Sequence, residues 1–137
     1  MSDERSVLIV DDEADVSEVL AFTLRREGFR VQTASEAAEA LALARSERPD
    51  IVLLDVMMPG ISGWEMLERM KSDDATRDIP VVMCTVLAEP RFFEKAAEHK
   101  AAGYIRKPFK PESVVRTIKG VLSGGSGTSG PDAGGSG

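Results

Sequence analysis

The chain has 137 residues, 42% of them hydrophobic and 29% charged, with a net charge of −6. That length accommodates one domain with a real core, and the acidic balance argues against non-specific nucleic-acid binding. A single cysteine excludes a disulfide framework or a Cys-based zinc site, and no apolar run approaches the ~18 residues of a membrane span.

The opening MSDERSV is charged and lacks the apolar stretch of a secretory signal, so a cytoplasmic protein is expected. Val7–Val10 (VLIV) is a short apolar run, read as a first strand, that ends in Asp11-Asp12. From about Ala14 to Glu27, Val16, Val19, Leu20, Thr23 and Leu24 recur at helical spacing, and Gly28 is placed to end that helix. Phe29–Ala34 alternates as a strand near a sheet edge does. Ser35 is expected to N-cap an alanine-rich helix running to about Ser46, with Pro49 as its stop.

Ile51–Leu54 is apolar throughout, the pattern of a strand buried on both faces, and it runs directly into Asp55. A helix over about Gly63–Lys71 turns Met66, Leu67 and Met70 inward. Val81–Thr85 (VVMCT) is a fourth strand, and Pro90 opens a helix that Gly103 closes. Tyr104–Lys107 (YIRK) is a fifth strand. Pro111 begins a last helix that buries Val114, Val115, Ile118 and Leu122. Residues 123–137 hold seven Gly and four Ser with no large apolar side chain, so a flexible tail or linker is expected after a domain spanning 1–122.

Alternating strands and helices imply an α/β fold, a doubly wound parallel sheet with helices on both faces. In such sheets functional residues gather beyond the carboxyl ends of the strands. Those ends carry Asp11-Asp12, Asp55, Thr85 and Lys107. A carboxylate at the end of the most hydrophobic strand is costly to bury alone, so a partner, a metal or a reaction is expected beside it. Three carboxylates repel one another unless a cation intervenes, and oxygen ligands without His or Cys select a hard ion such as magnesium. A carboxylate can also act as a nucleophile and become an acyl phosphate, with Lys107, the Thr85 hydroxyl and the metal neutralising the phosphoryl oxygens. Asp55 is the expected phosphoacceptor.

The segments VLIVDDE, IVLLDVMMPG, VVMCT and GYIRKPF, in this order and spacing, closely resemble the response-regulator receiver domains of two-component signalling. The resemblance covers about residues 5–122. It implies a flavodoxin-like fold, with five strands in the order 2-1-3-4-5 and five helices. It implies magnesium ligation by Asp11, Asp12, Asp55 and the Met57 backbone carbonyl, phosphoryl binding by Thr85 and Lys107, and a cis Lys107–Pro108 bond. Tyr104 matches the family's switch aromatic, which turns inward as Thr85 moves toward the phosphate. The implied partners are a histidine kinase or phosphotransfer protein and an unknown output protein. No direct nucleic-acid binding by the domain and no membrane contact are implied, and the expected state is a monomer or a weak phosphorylation-dependent dimer.

Two departures from the family pattern, Val86 and the apolar Met57, lead us to expect slow loading and slow hydrolysis. They also leave open a phosphorylation-independent protein-binding module, a pseudo-receiver. A phosphatase with an aspartyl-phosphate intermediate is disfavoured because Met57 is not the second acid it requires. The expected domain is not an enzyme toward external substrates and catalyses only its own phosphorylation and dephosphorylation. Residues 1–90 carry 19 acidic and nine basic residues, whereas 91–122 carry three acidic and eight basic, a local balance of +5. Lys100, Arg106, Lys110 and Lys119 are therefore the candidate contacts for an acidic output partner. His99, the only histidine, reads as a solvated helix residue, and Cys84 as a small buried one.

Overall fold

A computed structural model describes residues 5–58, 60–86, 94, 98, 100–124 and 127–129. The elements are β1 (Ser6–Val10), α1 (Ala14–Arg26), β2 (Arg30–Ala34), α2 (Ala37–Glu47), β3 (Ile51–Asp55), α3 (Gly63–Lys71) and β4 (Val81–Thr85). They continue with β5 (Gly103–Arg106), α4 (Pro111–Leu122) and β6 (Gly127–Ser129). The helix expected to open at Pro90 lies outside the described residues except for Glu94 and Glu98, both helical and exposed.

The sheet is parallel and runs β2-β1-β3-β4-β5, as expected, and β6 is added alongside β5. This sixth strand lies beyond the five expected ones, in the segment 123–137 expected as a flexible tail. Strand pairing uses only backbone groups, and the outer edge of β5 offers them, so a Gly-Thr-Ser segment can pair there without apolar side chains. The sequence-level signal for a strand, apolar alternation, is absent from it.

Every residue of β3 and β4 is buried, which places the two most apolar runs at the sheet centre, while β2 at the edge buries only Val31 and Ala34. Successive side chains point to opposite faces. On one face Leu8, Val10, Val52, Leu54 and Met83 meet the small Ala37, Ala40 and Ala44 of α2 and Met66, Leu67 and Met70 of α3. On the other, Val7, Ile9, Leu53, Val82 and Ile105 meet Leu20 and Leu24 of α1 and Val114, Ile118 and Val121 of α4.

Several local expectations are corrected. The inward stripe of α1 is Ser17, Leu20, Ala21 and Leu24, a spacing that turns Val19 outward, where it is 51% exposed beside Phe22 at 63%. In α4 the buried stripe is Val114, Val115, Thr117, Ile118 and Val121, leaving Leu122 half-buried. Ser35 does not cap α2. Glu36 takes the N-cap without a side-chain bond, and the Ser35 backbone N–H donates to Glu39 Oε1 at 3.2 Å instead. The C-terminus of α2 turns at Arg48, held at φ 48° immediately before Pro49. Ser62 does cap α3, accepting from the Glu65 N–H at 3.2 Å.

Candidate functional site

The parallel strands end on one edge, and their ends deliver the site. Asp11 follows β1 and is 4% exposed, Asp55 closes β3 at 5%, and Thr85 closes β4 at 0%. Lys107 follows β5, with its side chain 10% exposed, and Asp12 is exposed. Backbone bonds fix these ends: Asp11 N–H donates to the Ala34 carbonyl (3.1 Å), Val56 N–H to Cys84 (3.2 Å) and Lys107 N–H to Thr85 (2.8 Å). The Lys107–Pro108 bond is cis.

Carboxylate oxygens of Asp11, Asp12 and Asp55 lie within 4.8 Å of one another. Three hard oxygen donors at that spacing can hold a metal ion. Lys107 Nζ donates to Asp11 Oδ2 at 2.8 Å and to Glu13 Oε1 at 3.1 Å, and lies 3.6 Å from Asp55 Oδ2. The other Asp55 oxygen, Oδ1, accepts from the Met57 N–H at 3.1 Å. Met57 thus meets the acid through its amide, while its side chain is 57% exposed.

Burial pushes the Asp55 carboxyl up from an ordinary 3.8 to about 6. The Met57 N–H and the Lys107 charge pull the other way, and the Asp11 and Asp12 charges add to the rise. Burial alone would lower Lys107, but its hydrogen bonds to Asp11 and Glu13 outweigh that and raise it, so the ammonium stays charged. Burial drives the Cys84 thiol up to about 12, which leaves it inert beside the site.

The β3–α3 loop is held tightly over the acid. Gly63 N–H donates to the Val56 carbonyl at 2.9 Å. A Cβ on Gly63 would collide with the Asp55 carbonyl oxygen and stand 2.8 Å from Val56 Cα, so only glycine fits.

Register places Tyr104 opposite Met83 and Arg106 opposite Thr85. Tyr104, Arg106 and Thr85 therefore share one face of the sheet, with Tyr104 and Thr85 on the diagonal. Tyr104 is half-buried against the core beneath it. Val86 is 59% exposed.

The four candidate basic contacts differ in their surroundings. Lys100 and Lys110 are exposed, and Arg106 is half-buried with a buried Nε that makes no hydrogen bond. Lys119 is turned to α1, where it pairs with Glu27 at 2.9 Å. Lys110 is the N-cap of α4 and Lys119 lies in its last turn. His99 lies outside the described residues. Sequence reasoning missed Glu13, the second hydrogen-bond partner of Lys107. The available signal was a glutamate at a helix N-cap, where a shorter side chain is the rule.

A family model for the response regulator receiver domain matches residues 7–119. The chain is 40% identical over 118 residues to the phosphate regulon transcriptional regulatory protein PhoB of Pseudomonas aeruginosa, covering 86% of this chain and 52% of that protein. It is 36% identical over 116 residues to the DNA-binding response regulator MtrA of Mycolicibacterium paratuberculosis, covering 85% of this chain and 50% of that one. The chain thus spans about half the length of these relatives. Among solved structures, the chemotaxis response regulator CheY4 of Vibrio cholerae superposes with a TM-score of 0.79 at 31% identity, covering 84% of this chain and 96% of that one. A LuxR-family two-component response regulator from Aurantimonas gives 0.82 at 32% identity, covering 93% and 90%.

Proposed function

Because the chain belongs to the response regulator receiver domain family, we propose that it is a phosphorylation-controlled signalling switch with Asp55 as phosphoacceptor. The observation that carries this reading is the meeting of three carboxylates and Lys107 at one sheet edge, with Asp55 buried at the centre. The donor is a histidine kinase or a phosphotransfer protein. An Asp55 oxygen bonds to phosphorus as the P–N bond of a phosphohistidine breaks, and the electron pair leaves with the imidazole, which takes up a proton. Attack requires the carboxylate form, and a carboxyl at about 6 is mostly ionised at neutral pH. Water attack on the phosphorus later returns Asp55 and inorganic phosphate.

Magnesium held by Asp11, Asp12, Asp55 and the Met57 carbonyl would supply charge neutralisation for the acids and the phosphoryl oxygens. Lys107 and the Thr85 hydroxyl bind the remaining phosphoryl oxygens. Thr85 drawn toward the phosphoryl group frees space on the sheet face it shares with Tyr104, and the ring moves into it. That is a two-state element whose readout is the surface around β5 and α4.

The protein turns over no external metabolite. The chain matches about half the length of one relative named as a transcriptional regulatory protein and another named as a DNA-binding response regulator, so DNA contact is proposed to belong to the other part of such proteins. No helix among the described residues is long and apolar enough to cross a membrane. The test is incubation with a small acyl phosphate and magnesium, read by intact mass. One phosphoryl group is expected, absent in Asp55→Asn and after chelation. Addition that survives Asp55→Asn would move the acceptor elsewhere.

A further inference from the structure

Lys107 has a partner that phosphoacceptor chemistry does not require. Its Nζ lies within hydrogen-bond range of Glu13 Oε1 (3.1 Å) and Asp11 Oδ2 (2.8 Å) but outside it for Asp55 Oδ2 (3.6 Å). Glu13 occupies the N-cap of α1, yet its side chain makes no capping bond. A side chain at that position ordinarily accepts from the first-turn N–H groups. Glu13 instead reaches a residue 94 positions away in sequence. Its backbone is pinned at both ends, donating to Asp11 Oδ1 at 2.9 Å and accepting from the Ser17 N–H at 3.1 Å. The carboxylate is therefore presented to Lys107 from a fixed base.

We propose that Glu13 is a positioning residue that draws the Lys107 ammonium away from Asp55 in the unphosphorylated protein, so that phosphorylation requires the lysine to leave it. This rests on the reading of Asp55 as phosphoacceptor. An ammonium has three N–H donors, and Asp11 and Glu13 take two of them. The two contacts are unequal. The Asp11 side chain is 4% exposed, so breaking its pair strands a buried charge, whereas Glu13 is 61% exposed and its pair is screened by water. Glu13 is the contact that yields. Exposed pairs are weak, so its removal should change the affinity for a phosphoryl group by about two- to fivefold.

The experiment titrates beryllofluoride, a phosphoryl mimic, at saturating magnesium. Trp64, the only tryptophan, serves as the fluorescent reporter because it directly follows Gly63, which lies close against the Asp55 backbone. Glu13→Gln should bind about two- to fivefold more tightly than the unaltered protein. Asp15→Asn, which removes an acid from the same helix turn, should bind as the unaltered protein does. The gain should vanish when Glu13→Gln is combined with Lys107→Ala, an outcome that a general loss of negative charge does not produce. Equal affinity in Glu13→Gln and Asp15→Asn, or a gain that persists without Lys107, would overturn the positioning role while leaving the phosphoacceptor in place. Failure of the unaltered protein to bind beryllofluoride would overturn the phosphoacceptor reading itself, and the positioning role with it.

Discussion

Replacing Asp55 by Asn should stabilise the metal-free protein, and by an amount that depends on pH. The folded carboxyl is raised from 3.8 to about 6, chiefly because burial disfavours its charge. A raised carboxyl binds its proton more tightly folded than unfolded, so it contributes stability below about pH 4 that is lost as pH rises through about 6. A shift of about two units, at about 1.4 kcal/mol each, corresponds to roughly 3 kcal/mol lost by neutral pH. Asp55 is 5% exposed, so water does little to screen this cost. Asn keeps the shape and an acceptor for the Met57 N–H but carries no charge. In chelator, Asp55→Asn should therefore exceed the unaltered protein by about 3 kcal/mol at pH 7.5 and only about 1 kcal/mol at pH 4.5. Urea denaturation at the two pH values measures both differences. A stability gain independent of pH, or a loss at pH 7.5, would refute the claim that the buried charge strains the fold.

Other predictions concern the metal, the loop and the output surface. Magnesium at a hundred times its dissociation constant should stabilise the unaltered protein by about 2.7 kcal/mol, and a thermal melt of Asp12→Ala should show no such rise. Gly63→Ala should destabilise by about 1–3 kcal/mol and slow phosphorylation, because the new methyl pushes on the backbone of Asp55 and Val56 at the end of β3; chemical denaturation and phosphorylation rates equal to those of the unaltered protein would contradict the tight approach. Arg106→Glu with Lys110→Glu should leave Asp55 phosphorylation intact and weaken capture of an acidic output partner, most of all at low salt, in a pull-down or surface-binding assay.

Much of the fold was legible because each apolar run has one reading. The uninterrupted Ile51–Leu54 and Val81–Thr85 read as strands, and the helix over about Gly63–Lys71 was readable from the spacing of Met66, Leu67 and Met70. The site followed from topology alone, since parallel strands deliver Asp11, Asp55, Thr85 and Lys107 to one edge whatever their packing. Less legible were features set by rotation or by backbone pairing. Val19 fits a helical stripe on paper, but one step of rotation about α1 puts it in water. The β6 segment pairs through backbone groups that composition does not reveal. Charge counts grouped Lys119 with Lys110, whereas Glu27 on a neighbouring helix claims it. Glu13 escaped notice because its partner lies 94 residues away.

The most direct test of the account is chemical trapping of the phosphorylated residue. The protein is loaded with a small acyl phosphate and magnesium, then reduced with borohydride, which converts an aspartyl phosphate to homoserine. Peptide mass mapping should locate the single conversion at Asp55, within the segment 51–60, and find none when magnesium is chelated. Homoserine at Asp11 or Asp12 in place of Asp55, or no conversion with either a small donor or a kinase, would contradict the assignment of Asp55 as phosphoacceptor.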